Sequence, residues 1–130
     1  MKAFGCLVVG VAMFVLGFQT LGRAQTDDEL LQDLRREVRE FGQDADADFG
    51  SSLTLVLLES KAYPVLLEAL EDSDPAVRAN AATMLAWVPQ ENNPTPAEVL
   101  EALRRAALDS DPRARESAES ALRFLESPTQ

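Results

Sequence analysis

The sequence predicts an all-α fold: a short α-α superhelix, or solenoid, of about three helical hairpins stacked side by side. Residues 62–88 have the pattern of two amphipathic helices joined by an aspartate-rich turn, and that pattern returns 37 residues later. One such hairpin is too thin to bury its own apolar side, and a repeat period of 20–50 residues is typical of solenoids.

The hairpin at residues 62–88 is defined by its turn. Asp74 is placed to cap the second helix, because its carboxylate can accept from amides of the first turn. Pro75 follows at the first helical position, where the missing N–H costs nothing. Each helix carries an apolar stripe, formed in the first by Val65, Leu66, Leu67, Ala69 and Leu70 and in the second by Val77, Ala81, Met84, Leu85 and Val88.

The later copy keeps both the turn and the apolar face in one register. Asp72-Ser73-Asp74-Pro75 returns as Asp109-Ser110-Asp111-Pro112, and Arg78 as Arg115. The equivalent core positions are Ala81 with Ala118, Leu85 with Leu122, and Val88 with Leu125. Short acidic turns match by chance, but a matching apolar face does not, so we interpret the two segments as structural repeats.

These residues resemble the short bacterial type of HEAT-like repeat, which also occurs in the phycobilisome lyase families. The family pattern is a D-x-D-P turn followed by V-R-x-x-A-x-x-x-L, and the later copy departs from it at Ala114, where valine is expected. The resemblance covers about residues 62–126. It implies stacked hairpins that offer a generic binding surface, and it implies no particular chemistry.

The chain before this hairpin predicts a degenerate first repeat. Thr26 and Glu29 form a capping box for a helix that ends near Gly42. The apolar run at 53–58 has no decisive period, but a lone strand among helices would leave its amides without partners. We therefore predict a second helix from Ser51 or Ser52 to Ser60, buried on all sides between two layers.

The third hairpin follows a linker from Pro89 to Pro94. Thr95 is predicted to cap its first helix, with Pro96 at the first position and Glu98 completing a capping box. Its second helix is expected from Pro112 to about Leu125, followed by a frayed tail.

Residues 1–24 have the pattern of a secretory signal peptide, which divides the chain into a leader at 1–24 and a repeat domain at 25–130. Lys2 precedes an apolar run from Phe4 to Phe18, and Gly22-Arg23-Ala24 predicts cleavage before Gln25. The protein is then exported, periplasmic or extracellular. The alternative is an uncleaved N-terminal membrane anchor, because the segment from Ala3 to Leu21 is close to the roughly 20 residues that span a bilayer.

The charge of the chain restricts its partners. The formal net charge is −10, and the 1–24 segment contributes basic residues but no acid. An acidic surface repels phosphate backbones, so we expect no nucleic-acid partner, and membrane contact only through an uncleaved leader. The alternative explanation of the negative charge is that it simply keeps an exported protein soluble.

The residue inventory predicts neither an enzyme nor a cofactor or metal site. The chain has no histidine, and its one cysteine, Cys6, lies in the leader. His-based triads, His-ligated zinc and thiolate nucleophiles are therefore excluded from the domain. The aspartates at 44, 46 and 48 imitate a calcium loop, but Phe49 and Leu55 stand where glycine and a bidentate glutamate belong. A carboxylate pair such as Glu68 and Asp72 is the remaining acid–base candidate.

Two sets of repeat residues are candidates for more than folding. Arg78 and Arg115 predict a ladder of Asp–Arg contacts along the stack, with capture of an acidic ligand as the alternative. Trp87 and Phe124, 37 residues apart, fall on the flank of the apolar stripe. They either pack against a neighbouring repeat or form a surface row with small polar residues on the same side, namely Asn80, Thr83, Ser117 and Ser120.

From these features we expect an exported helical-repeat module that binds an unidentified protein or peptide along its second-helix face. The alternative is a structural envelope component that acts by packing against copies of itself. A minor enzymatic role would require a carboxylate pair with a raised pKa in a closed pocket.

Overall fold

The computed structural model describes residues 25–42, 53–90 and 94–127, and within these residues the regular structure is helical, with no strand. The helices are numbered in chain order. They are α1 (Asp27–Glu40), α2 (53–58), α3 (Tyr63–Ala69), α4 (Pro75–Trp87), α5 (Ala97–Ala106) and α6 (Pro112–Glu126). A 3-10 turn, Glu59–Ala62, joins α2 to α3. The predicted all-α fold is confirmed.

The helices form three successive layers: α1 with α2, α3 with α4, and α5 with α6. The Thr54 hydroxyl of α2 donates to Glu37 Oε1 of α1 at 3.1 Å, and α4 and α6 pack on α3 and α5 respectively. The most extensive contact between layers is that of α4 with α6. The second helices of the last two layers, α4 and α6, therefore lie side by side, as expected for a solenoid.

Helix α4 is the centre of the molecule. It contacts α1, α3, α5 and α6, and seven of its thirteen residues are buried. Because neighbours cover it from several directions, its sequence is apolar on more than one face. The core around it takes its largest fully buried side chains from all three layers, namely Leu34, Val38, Leu55, Leu58, Leu66, Met84, Leu85, Val88, Val99 and Leu103.

Most helix ends lie where the sequence places them. The Thr26 amide donates to Glu29 Oε2 at 2.9 Å and the Glu29 amide to Thr26 Oγ1 at 3.3 Å, so the predicted capping box is present. Gly42 follows α1 with φ of +81°, a conformation that glycine adopts without strain. Asp74 caps α4 through the Ala76 amide at 2.9 Å, with a proline at the start of the helix.

The predicted cap of α5 is wrong. Pro96, not Thr95, is the N-cap residue, and no side chain caps this helix. Pro96 is extended, with ψ of 142°, so the first helical residue is Ala97. Thr95 then lies outside the turn that its hydroxyl would have to reach.

The expectation that the apolar run at 53–58 is buried on all sides is also wrong. Its residues are helical, as predicted, but only Thr54, Leu55 and Leu58 are buried. Leu53, Val56 and Leu57 are 52%, 52% and 55% exposed, because no described element covers their side of α2. The helix therefore presents an apolar outer face.

Other predictions lie outside the described residues. These are the leader at 1–24 and the acidic segment at 44–48. Among the described helices, none is both long enough and apolar enough to cross a membrane.

Candidate interaction surface

Trp87 and Phe124 occupy equivalent positions at the C-terminal ends of α4 and α6. Trp87 is 43% exposed, and its ring meets the Phe41 ring of the first layer edge-on, with centroids 5.2 Å apart and an interplanar angle of 73°. Phe124 is 66% exposed. Trp87 thus combines both sequence interpretations, since one side packs on a neighbouring layer while the rest faces solvent.

Asn80 is not a surface residue, and its assignment to the binding row is wrong. Its side chain is buried, and its Nδ2 donates to the Val38 carbonyl at 2.8 Å and the Phe41 carbonyl at 3.3 Å. These carbonyls belong to the C-terminal end of α1, where no further helical turn supplies amides. Asn80 therefore fastens the second layer to the first and has no donor left for a ligand.

The three smaller polar residues of the predicted row have different environments. Thr83 is half-buried, and its hydroxyl donates to the Ala79 carbonyl of its own helix at 3.2 Å. Ser117, the equivalent of Asn80, is half-buried, and Ser120 is exposed and accepts from Arg123 at 3.2 Å. The exposed part of this surface is thus Trp87, Phe124 and Ser120, with Thr83 at its edge.

Arg78 joins the second and third layers. Its Nε and Nη2 donate to the two carboxylate oxygens of Asp109 at 2.7 and 3.0 Å, a bidentate pair that is largely shielded from solvent. Its Nη1 donates to the carbonyls of Asp72 and Ser73 in its own turn, at 2.9 and 3.2 Å. One guanidinium therefore closes the turn before α4 and fixes the turn before α6.

Arg115 repeats half of this arrangement. Its Nη1 donates to the Asp109 carbonyl at 3.0 Å, as that of Arg78 does to Asp72. Asp111 caps α6 through the amides of Arg113 and Ala114, at 3.0 and 3.1 Å, with Pro112 at the start of the helix. Arg115 belongs to the last layer that the structure describes.

Sequence reasoning missed the first rung of the ladder. Arg39 Nη2 donates to Asp72 Oδ2 at 2.9 Å, which links α1 to the turn before α4. Arg39 comes from the first helix of its hairpin, whereas Arg78 comes from the second, so the 37-residue register could not find it. The useful signal was Asp72 itself, which repeats as Asp109 and accepts an arginine from the preceding layer in both cases.

Both aspartates of the turns have lowered pKa values. Arg78 lowers the pKa of Asp109 most, and the amide of Asp111, at 2.9 Å, adds to the effect. For Asp72 the amide of Asp74 at 2.9 Å lowers the pKa most, and Arg39 adds to it. Hydrogen bonds to the ionised carboxylate favour the charged form, so both turns are built around ionised aspartates.

The carboxylate pair of Glu68 and Asp72 lies at an open groove of about 170 Å³ between α1, α3 and the start of α4. The apolar floor of the groove includes Val38 and Val65, and Arg39 holds Asp72. Asp72 has a lowered pKa, the opposite of what a general acid at neutral pH requires. Within the described segments, no group of three or more metal-ligating side chains lies close enough to hold an ion.

Fold and surface together define an α-solenoid: stacked two-helix layers, close packing of the second helices α4 and α6, and arginines that bind the aspartates of the following turns. The family model for HEAT repeats matches residues 28–123, and the chain belongs to this family. HEAT repeats generally mediate protein–protein interaction. The comparisons gave no match among curated proteins and none among solved structures.

Proposed function

We propose that this protein is an exported, non-catalytic HEAT-repeat module that binds a protein or peptide on its second-helix surface, through Trp87 and Phe124. The observation that supports this proposal is that both aromatic rings are exposed at equivalent positions of neighbouring layers. Exposed aromatic side chains are common anchors of interfaces, because they bury a large area at small entropic cost.

The polar surroundings support a protein or peptide ligand. Ser120 and Thr83 lie on the same side of their helices as the rings and supply short hydrogen-bonding groups. Asn80 is buried and uses its Nδ2 donors inside the fold, so the proposed surface excludes it.

The binding proposal is tested with a photo-crosslinking phenylalanine analogue placed at Phe124 in the full chain and expressed in the native host. A matched control carries the same analogue at Glu98, an exposed residue of the first helix of the same layer. We expect a covalent adduct with another protein from position 124 and none from position 98, and Trp87→Ala should weaken the adduct.

Each other outcome has a defined meaning. Equal adducts from both positions, or none from position 124, would contradict the second-helix surface. An adduct of twice the mass of the chain would favour the alternative, a structural component that packs against its own copies. Trp87→Ala also removes the Phe41 contact, so its melting temperature is measured in parallel.

Export is tested separately. The full chain is expressed in a bacterial host, and its N-terminal sequence is determined after fractionation. We expect the product outside the cytoplasm to begin at Gln25. An intact N-terminus in the membrane fraction would indicate a retained anchor, and an intact cytoplasmic product would overturn the export proposal.

A further inference from the structure

The two ends of the stack differ in the chemistry of their outer surfaces. Arg78 of α4 shows which side of a second helix faces the following layer, because it reaches Asp109 in the turn of that layer. Ala79, Ala82 and Ala86 lie on that same side at about 100° per residue. The equivalent positions on α6 are the exposed Glu116, Glu119 and Arg123.

This replacement of alanines by charged residues makes the outer side of α6 unsuitable for the packing of another layer. Alanines let α6 approach α4 closely, whereas charged side chains would have to lose their hydration under another layer. An outer layer with a polar outer face is how solenoids end in water. Among the described residues, the N-terminal end has no comparable polar surface, because Leu53, Val56 and Leu57 form a continuous apolar face on α2, defined here as the α2 face.

The size of the α2 face argues against a second copy of the chain as its cover. Its three side chains are each about half exposed, so together they offer on the order of 200 Å². A stable dimer buries about 800 Å² on each partner. A face this small suffices only for an occupant that is already tethered, since a short tether gives a high effective concentration.

The chain carries an apolar segment with such a tether, residues 4–18 of the leader. Lys61 forms an ion pair with Asp27, so the point where the leader joins the domain lies beside the 3-10 turn that follows α2. Lys61 is four residues from Leu57, a separation of at most about 14 Å along the chain. The nine residues from Phe18 to Asp27 can span up to about 30 Å, so the segment reaches the α2 face.

We propose that the apolar leader segment, residues 4–18, docks on the α2 face in the unprocessed chain, so that removal of the leader uncovers this face. The inference does not depend on the second-helix surface, because the α2 face contains neither Trp87 nor Phe124. Its failure would leave the proposed binding function untouched, and the reverse also holds.

The test measures whether the α2 face is covered in the full chain. Leu57→Cys is made in a Cys6→Ser background, which leaves one thiol, and the chain is synthesised in a translation mixture without membranes. Reaction with a polyethylene-glycol maleimide is followed by gel shift. If the segment is docked nine-tenths of the time, labelling slows about tenfold, because only the open form reacts.

Two matched variants make the test specific. Glu119→Cys, on the exposed C-terminal end, should be labelled at the rate of an unprotected thiol. Val9→Asp with Phe14→Asp places charges in the leader segment and should restore rapid labelling at position 57. If Leu57→Cys folds poorly, Val56→Cys repeats the labelling measurement. In a separate experiment that keeps the native Cys6, a short bismaleimide should link Cys6 to the cysteine of Leu57→Cys within one chain.

Several results would overturn the proposal. Equal labelling rates at positions 57 and 119, or protection that survives the two leader charges, would show that the leader does not cover the face. Protection that appears only after addition of phosphatidylcholine vesicles would identify the bilayer as the occupant. Protection that increases with chain concentration would identify a second copy.

Discussion

The two boundaries between layers are built differently, because one joins two second helices and the other joins the first helix α1 to α3 and α4. Between the second and third layers, Arg78 holds Asp109 with two hydrogen bonds, and equivalent helices α4 and α6 pack closely. Between the first and second layers, Arg39 approaches Asp72 from α1, and the buried Asn80 binds carbonyls at the end of α1.

This difference shows which parts of a repeat are transferable. The aspartate of the turn is common to both boundaries, while the arginine that reaches it comes from whichever helix lies nearest. The boundary between the second and third layers, called the regular boundary, follows from the repeated sequence. The boundary between the first and second layers, called the irregular boundary, is completed by the buried side-chain amide of Asn80. Substitutions at equivalent residues of two layers can therefore be compared directly, with one variant as the control for the other.

The largest effect is expected where the central helix is compared with the outer one. Leu85 is fully buried in α4, and its equivalent Leu122 is only partly buried in α6. Leu85→Ala should lower the free energy of unfolding by about 3 kcal/mol or more, because it leaves a cavity. Leu122→Ala should cost clearly less, since its site opens towards solvent. Equal losses in denaturant titrations would contradict the central position of α4.

The irregular boundary is tested by Asn80→Ala. This change leaves the Val38 and Phe41 carbonyls without their donor and should cost about 1–3 kcal/mol. The equivalent change, Ser117→Ala, should stay within about 0.5 kcal/mol. Urea unfolding of both variants measures the difference, and a neutral Asn80→Ala would show that the buried amide does not fasten the layers.

The regular boundary is tested by Arg78→Ala against Arg115→Ala. Arg78 makes four hydrogen bonds and links two layers, whereas Arg115 makes one, to the turn of its own layer. We expect Arg78→Ala to lower the melting temperature by about 5 °C and Arg115→Ala by only a degree or two. Thermal unfolding followed by circular dichroism checks this, and similar shifts would refute a role of the ladder between layers.

The smallest effect is the dependence of stability on pH. The folded pKa values of Asp72 and Asp109 are lowered, so these groups add stability above their unfolded pKa, near 3.9, and lose it as pH falls through the folded values. Melting temperatures should therefore fall below about pH 4. Asp109→Asn should flatten part of this fall, and an unchanged acid profile would contradict the ionised turn.

Local rules predicted much of the fold because they act within a few residues. The capping box of Thr26 and the aspartate–proline starts of α4 and α6 depend only on neighbouring backbone, and all lie where expected. Thr95 shows the limit of such rules. Its sequence fits a cap equally well, but the extended backbone of Pro96 starts the helix one residue later.

The candidate site was less predictable, because helical position alone does not say what covers a side chain. Asn80 and Trp87 fall on the same flank of α4, yet α1 covers the first completely and the second only along one edge. Likewise, the apolar run at 53–58 suggested burial on every side, whereas the layers cover only one of its faces.

The sequence by itself determined the helices, the three layers and the repeated turn, since period, capping and composition act along the chain. Only the tertiary structure decided which arginine meets which aspartate, that Asn80 is an internal fastener, and that the two ends of the stack carry opposite surfaces. These features depend on distances between residues far apart in sequence, which packing alone sets.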